Sequence, residues 1–296
     1  KNKYNFLRLN DFDYTYEWLL NGRVKEKGIA KLINSNELHV PDFDFRDAEV
    51  CLNVYARLKT PKLWADAGFI VARQQFIMGT YSYAGISEDK NKLKIRKDDA
   101  FYTISGNGFT FVFNRQNGAL QSWVKNDREM LVAPLEPYFW KPANDNQIRN
   151  GYVQRLSVWK QEAERRQMQK SQCLEKDGLV VVTFDMILPT VNASYSLVYK
   201  INGKGQMQVE ADYNPQGENV SLMPKFGMRM RLCRDLDRIT WYGRGPYENY
   251  LDRKTGSLLG VYSDDLKNIM TEYVFPQDNA NRCDVRWLNL KNKNGI

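Results

Sequence analysis

The chain is predicted to be all-β. Segments with alternating apolar and polar residues recur along its 296 residues, for example at 14–20, 50–58 and 109–113, which is the period of a half-buried strand. Between them stand turn signals that accept positive φ: Asn21-Gly22, Asn114-Arg-Gln-Asn-Gly118 and Asn202-Gly203-Lys-Gly205. Tyr, Phe and Trp make up 13% of the residues, and these types favour pleated surfaces. No strand–helix alternation runs through the sequence.

Taken in order, residues 14–20 form a strand that ends at Asn21-Gly22, and 23–32 return from that turn as its hairpin partner. Residues 50–58 are another alternating strand, and 64–76 a loop followed by a final strand. Several short strands separated by turns predict a sandwich of immunoglobulin type over 1–79. Residues 80–92 are polar without a period and read as a linker. From Leu93 strands resume: 109–113 and 119–124 flank a hairpin turn, and 179–188, 193–201, 206–213 and 226–232 follow. The last of these sets Arg229 and Arg231 on one face and Phe226, Met228, Met230 and Leu232 on the other. Residues 150–169 hold the one helix candidate, rich in helix formers, with Trp159, Ala163 and Gln167 at helical spacing.

Composition narrows the function. The net charge is +8, but the basic residues are mixed with acids, as in the 160–170 cluster, which reads as a solvated helix face. No nucleic-acid module accompanies the charge. No apolar run approaches the ~20 residues of a membrane span. The first residues show neither a signal-peptide pattern nor a start methionine. Cys51, Cys173, Cys233 and Cys283 are far apart and read as free thiols. His39 is the single histidine, which argues against a zinc site or a Ser-His-Asp or Cys-His enzyme.

The richest stretch is 240–289. Its front half, Trp241-Tyr-Gly-Arg-Gly-Pro-Tyr-Glu-Asn-Tyr-Leu-Asp-Arg253, joins turn formers (Gly243, Gly245, Pro246) to aromatic faces and to the charges of Arg244, Glu248, Asp252 and Arg253. Its back half, residues 273–283, reads as a short apolar strand through Pro276 that enters a polar loop. This pattern resembles the C-terminal domain of the β-galactosidases of glycoside hydrolase family 2, with its Gly-x-Gly-Pro-x-Glu-Asn-Tyr-x-Asp-Arg run, Tyr-Val-x-Pro-x-(Glu/Asp)-Asn segment and Arg-Cys or Arg-Thr pair. The Trp64…Gly68…Gln74-Gln75 run resembles the close of that family's second sandwich domain. Residues 134–147 resemble its Arg-Ala-Pro-x-Asp-Asn-Asp loop, keeping Asp145-Asn146 but with Lys141 and Gln147 in place of the Arg and the last Asp.

The resemblance implies an immunoglobulin-like sandwich over 1–79, truncated at its N-terminal side. After the linker it implies a galactose-mutarotase-like β-supersandwich over 93–296, truncated at its C-terminal side. It implies a retaining hydrolysis of terminal β-galactosides by the parent, with both catalytic glutamates on a TIM barrel upstream, and so no catalytic residue in this segment. Mutarotase chemistry is disfavoured, since that class relies on histidines and none follows His39. Mg²⁺ and Na⁺ belong to the parent's barrel; this segment shows no ligand cluster for them. Implied partners are β-galactoside sugars, the upstream barrel and sandwich domains, and further copies of the parent in a homo-oligomer. Trp140, Asp145, Asn146, Arg244 and Glu248 are the candidate sugar-binding residues. For Arg244, Glu248, Asp252 and Arg253 the competing reading is a charge network that fixes the turn; for Asp145 and Asn146 it is backbone capping; for Trp140, Trp241 and Tyr247 it is core packing. An independent carbohydrate-binding sandwich module is the alternative function.

Overall fold

The computed structural model describes residues 6–34, 37–44, 47–89, 91–217, 220–275 and 277–295. Its contacts divide the chain into two compact units, one of Lys1–Tyr83, Asp237–Thr271 and Asn279–Ile296, the other of Ala84–Leu236 and Glu272–Asp278.

The first unit opens on a hairpin of β1 (Phe12–Leu20) and β2 (Arg23–Ile29). Asn21 and Gly22 make its turn with φ of 46° and 77°, the left-handed pair that a two-residue hairpin loop requires. The expected return strand breaks at buried Ala30; β3 (Lys31–Asn34) and β4 (Glu37–His39) then form a separate two-stranded sheet. β5 (Val50–Leu58) and β6 (Ile70–Met78) complete an antiparallel sheet of order β2-β1-β5-β6. Alternation turns Phe12, Tyr14, Tyr16 and Trp18 of β1 into one core with Val50 and Leu58. Residues 79–93 carry no helix or strand where described.

The second unit holds β7 (Lys94–Lys97), β8 (Phe101–Gly106), β9 (Phe109–Asn114), β10 (Leu120–Lys125), β11 (Arg128–Glu129) and β12 (Leu131–Pro137). Three short helices follow, α1 (Asp145–Arg149), α2 (Tyr152–Leu156) and α3 (Val158–Arg165). The unit continues with β13 (Gln167–Lys176), β14 (Leu179–Leu188), β15 (Ala193–Ile201), β16 (Met207–Pro215) and β17 (Met228–Leu232). The strands form a seven-stranded sheet, β17-β12-β10-β9-β8-β7 with β11 beside β10, and a four-stranded sheet, β13-β14-β15-β16. Their alternating inward residues share one core, in which Phe113 lies 4.8 Å from Tyr199, centroid to centroid, and Phe184 and Ile104 are fully buried. Burying side chains of this size supplies roughly 1.5–3 kcal/mol each.

The helical region departs from the expected single helix at 150–169. It begins earlier, is interrupted at Gly151 (φ 73°), and ends at Arg166, where the backbone turns extended. Trp159 and Ala163 are buried one turn apart as expected, but Gln167 is the exposed first residue of β13. In β17 the apolar face is only partly covered: Met230 is exposed, and Phe226, outside the strand, stacks on Phe139 at 6.2 Å.

The chain returns to the first unit with β18 (Arg238–Gly245), β19 (Leu258–Asp265), the single turn α4 (Leu266–Ile269) and β20 (Trp287–Lys291), in the order β19-β18-β20. The expected strand at 273–275 is absent: these residues are irregular, and Val274 and Phe275 are exposed, without a sheet face for their side chains to alternate against. Pro276 lies outside the described residues.

Candidate functional site

The 241–253 run folds as the end of β18 and the tight loop after it. Gly245 is still in the strand, opposite Leu258, and a Cβ there would meet the Tyr262 ring at 2.6 Å. Its need for glycine is therefore a close approach rather than the turn conformation that the sequence suggests. At Gly243 a Cβ would come within 3.0 Å of the Val285 backbone.

Asn249 organises the loop. It is fully buried, its amide donates to Tyr247 O at 2.9 Å and its carbonyl Oδ1 accepts from Cys283 N at 2.8 Å. Asn281 Nδ2 returns a bond to Asn249 O at 2.7 Å. These bonds tie the loop to 281–283 and satisfy backbone groups that burial would otherwise leave unpaired.

The charged residues form two clusters rather than the one expected. Glu248 is buried; it accepts from Arg253 Nη2 at 2.8 Å and from Ala280 N at 3.0 Å, and Tyr250 OH reaches it at 3.3 Å. Arg244 joins Asp284 instead, Nε to Oδ2 at 2.5 Å, and donates to Ser257 O at 2.8 Å. Lys254 Nζ reaches both Asp284 oxygens at 3.2 Å. Asp252 is exposed. Burial alone would raise the Asp284 carboxyl, but the bonds from Arg244 and Lys254 outweigh it and hold the group below the ordinary carboxylate value.

A third cluster has no forerunner in the sequence reading. Glu49 is nearly inaccessible and receives Arg286 in a fork, Nη2 to Oε1 at 2.5 Å and Nε to Oε2 at 3.1 Å. Tyr242 OH donates to the same carboxylate. Burial, then the bond to Glu49, push the Tyr242 phenol up. Gly22 lies beside that ring, and a Cβ there would meet it at 2.4 Å. Gln75 adds a two-way clasp on the Leu259 backbone, at 2.8 and 2.9 Å. Within this unit β18 and β19 are thus bonded to the 1–79 sheet. Only three-dimensional pairing brings residues 49, 242 and 286 together, so no local signal reveals them.

Trp140, Asp145 and Asn146 belong to the second unit. Trp140 is buried with its ring 4.9 Å from that of Tyr152. Asp145 and Asn146 are exposed on the first turn of α1. The capping expected of them is done by Asn144, whose side chain accepts from Gln147 N at 2.9 Å while Gln147 Oε1 accepts from Asn144 N at 3.1 Å. Lys141 Nζ donates to the same Gln147 Oε1 at 3.0 Å. The two positions that depart from the family's loop pattern are therefore bonded to each other, a charged–neutral pair where that pattern has Arg and Asp. Trp241 is buried in the core and Tyr247 is exposed. Among the described residues no group of three or more His, Cys, Asp or Glu side chains is placed to hold a metal, and no helix is long and apolar enough to cross a membrane.

Residues 1–79 match the family model described as β-galactosidase, domain 4. The chain is 30% identical over its full length to a β-galactosidase of Priestia megaterium, covering 29% of that protein. It is 27% identical over 96% of its length to a β-galactosidase of Halalkalibacterium halodurans, again covering 29%. With a β-galactosidase of Lactobacillus delbrueckii subsp. bulgaricus it shares 31% identity over 86% of its length, 25% of that protein. The chain thus spans less than a third of these relatives. Residues 105–296, the greater part of the sequence and the whole of the loop built on Asn249, match the model for the β-galactosidase small chain, and the chain belongs to that family.

Proposed function

We propose that this chain is the non-catalytic C-terminal segment of a β-galactosidase, acting as a scaffold for a barrel that hydrolyses terminal β-galactosides. The observation that carries this reading is the use made of the loop's acids. A retaining glycosidase needs two carboxyl groups about 5 Å apart, free to face a glycosidic bond. Here Glu248 is buried against Arg253 and Ala280 N, and Asp284 is held by Arg244 and Lys254. Both carboxylates hold their own loop in shape. The relatives' shared name supports a glycosidase parent, and their greater length supports a barrel outside this segment. In this reading the parent's Mg²⁺ and Na⁺ belong to that barrel, and the parent assembles as a homo-oligomer. By the family's boundaries residues 1–79 act as a sandwich and 93–296 as a supersandwich joined by the 80–92 linker, with β18, β19 and β20 of the latter grouping with the sheet of the former.

Purified chain incubated with a chromogenic β-galactoside should show no turnover above a mock preparation. Turnover that copurifies with the chain from a host lacking its own β-galactosidase contradicts the proposal. The exposed Asp145, Asn146 and Tyr247 leave a second reading, an independent sugar-binding module, which sugar titration separates from the first.

A further inference from the structure

We propose that β6 is a self-pairing edge, through which two copies of the chain join antiparallel about a twofold axis at Gln74 into one continuous sheet. This deepens the assembly part of the proposed function; the scaffold role does not depend on it.

The sheet β2-β1-β5-β6 has two ends, and they are built differently. At one end β2 exposes Arg23, Lys25 and Lys27; both end pairings carry a bulge, at Trp18/Leu19 beside β2 and at Ala56/Arg57 beside the first residues of β6, so charge is what sets the two ends apart. Charged side chains are a usual protection of an edge that must stay unpaired. At the other end β6, Ile70–Met78, carries no Pro or Gly, and its one charged residue is Arg73. That guanidinium is drawn aside to Gly256 O at 2.5 Å. The Gln74 amide folds back onto Gln75 O at 3.2 Å. Phe76 stands 52% exposed. A long, weakly charged edge with an exposed aromatic ring is a template for strand addition.

The register identifies the partner. β6 pairs regularly with β5 from Ala72 to Met78, placing Ala72, Gln74 and Phe76 on one face opposite Ala56, Val54 and Leu52. A twofold axis at Gln74 sets residue 72 of each copy opposite residue 76 of the other. The large Phe76 ring then lies over the small Ala72, twice by symmetry, as an isologous contact requires. Arg73 falls opposite Gln75, so no like charges face each other. Centring on Arg73 would oppose two arginines, and centring on Gln75 would set Phe76 against the Gln74 amide.

Light scattering after size exclusion, with sedimentation equilibrium of the full chain, tests this. The unsubstituted chain should be a dimer. Ala72→Trp, at an exposed position, should weaken the dimer at least about tenfold and leave the circular dichroism unchanged. The exchange Ala72→Phe with Phe76→Ala restores the large–small pairing and should restore the dimer. A monomer, or a dimer indifferent to Ala72→Trp, overturns the proposal. Neither outcome bears on hydrolysis or sugar binding, so this failure is distinguishable from failure of the scaffold reading.

Discussion

Glu49 is the residue whose surroundings most constrain the first unit. Its carboxylate is buried, and Arg286 and Tyr242 are its side-chain donors. Arg286→Leu would leave that charge without its counter-ion, a defect that typically costs about 3–5 kcal/mol. Urea denaturation should show that loss, whereas Tyr242→Phe, which removes one bond to a charged group, should cost about 1.5–3 kcal/mol. Equal small losses would mean that solvent reaches Glu49. Asp284 gives a prediction in pH. Its pKa is lowered in the folded state, so its contribution to stability is present above the unfolded carboxylate value and is lost as pH falls through the lower folded value. The melting temperature should therefore fall on acidification below about pH 4, and Asp284→Asn should flatten that fall; an identical acid limb in the variant contradicts the assignment. The sequence shows Arg244, Glu248 and Arg253 as a charged group but hides Asp284, because the pairing choice depends on a strand crossing dozens of residues later.

Among the elements, the strands whose alternation is clean are where the sequence places them. β5 at Val50–Leu58, β14 at Leu179–Leu188 and β15 at Ala193–Ile201 each bury every second residue over much of their length. A two-residue period with one wet face is sufficient to specify such strands. The errors lie where local pattern and tertiary partner part. Residues 167–169 have helical composition yet join β13, because β14 offers them a ladder. Residues 273–275 have strand composition and are irregular. The β1–β2 turn gives the prediction at this scale. Gly22→Ala combines a positive φ with a 2.4 Å approach to Tyr242, and should destabilise by more than about 1 kcal/mol. A melting temperature equal to that of the parent chain would show that the turn relaxes away from the ring.

At the scale of the whole molecule, strands far apart in sequence share a unit. β18, β19 and β20 group with the sheet of residues 1–79, although more than 150 residues separate them in the chain. Gln75 and Glu49 both bond this late sheet directly, at Leu259 of β19 and Tyr242 of β18. Of the Gln74-Gln75 pair that the family resemblance marks, Gln75 clasps the Leu259 backbone and the Gln74 amide bonds to Gln75 O. Contacts of such long sequence separation leave no periodicity to read. In the proposed scaffold role these sheets support sugar chemistry performed elsewhere and hold no sugar site of their own. Calorimetric titration of the purified chain with galactose and lactose tests it most directly. No heat beyond dilution is expected up to tens of millimolar. A saturable isotherm, reduced by substitution at Trp140, Asp145 or Glu248, would contradict it and make the chain a carbohydrate-binding module in its own right.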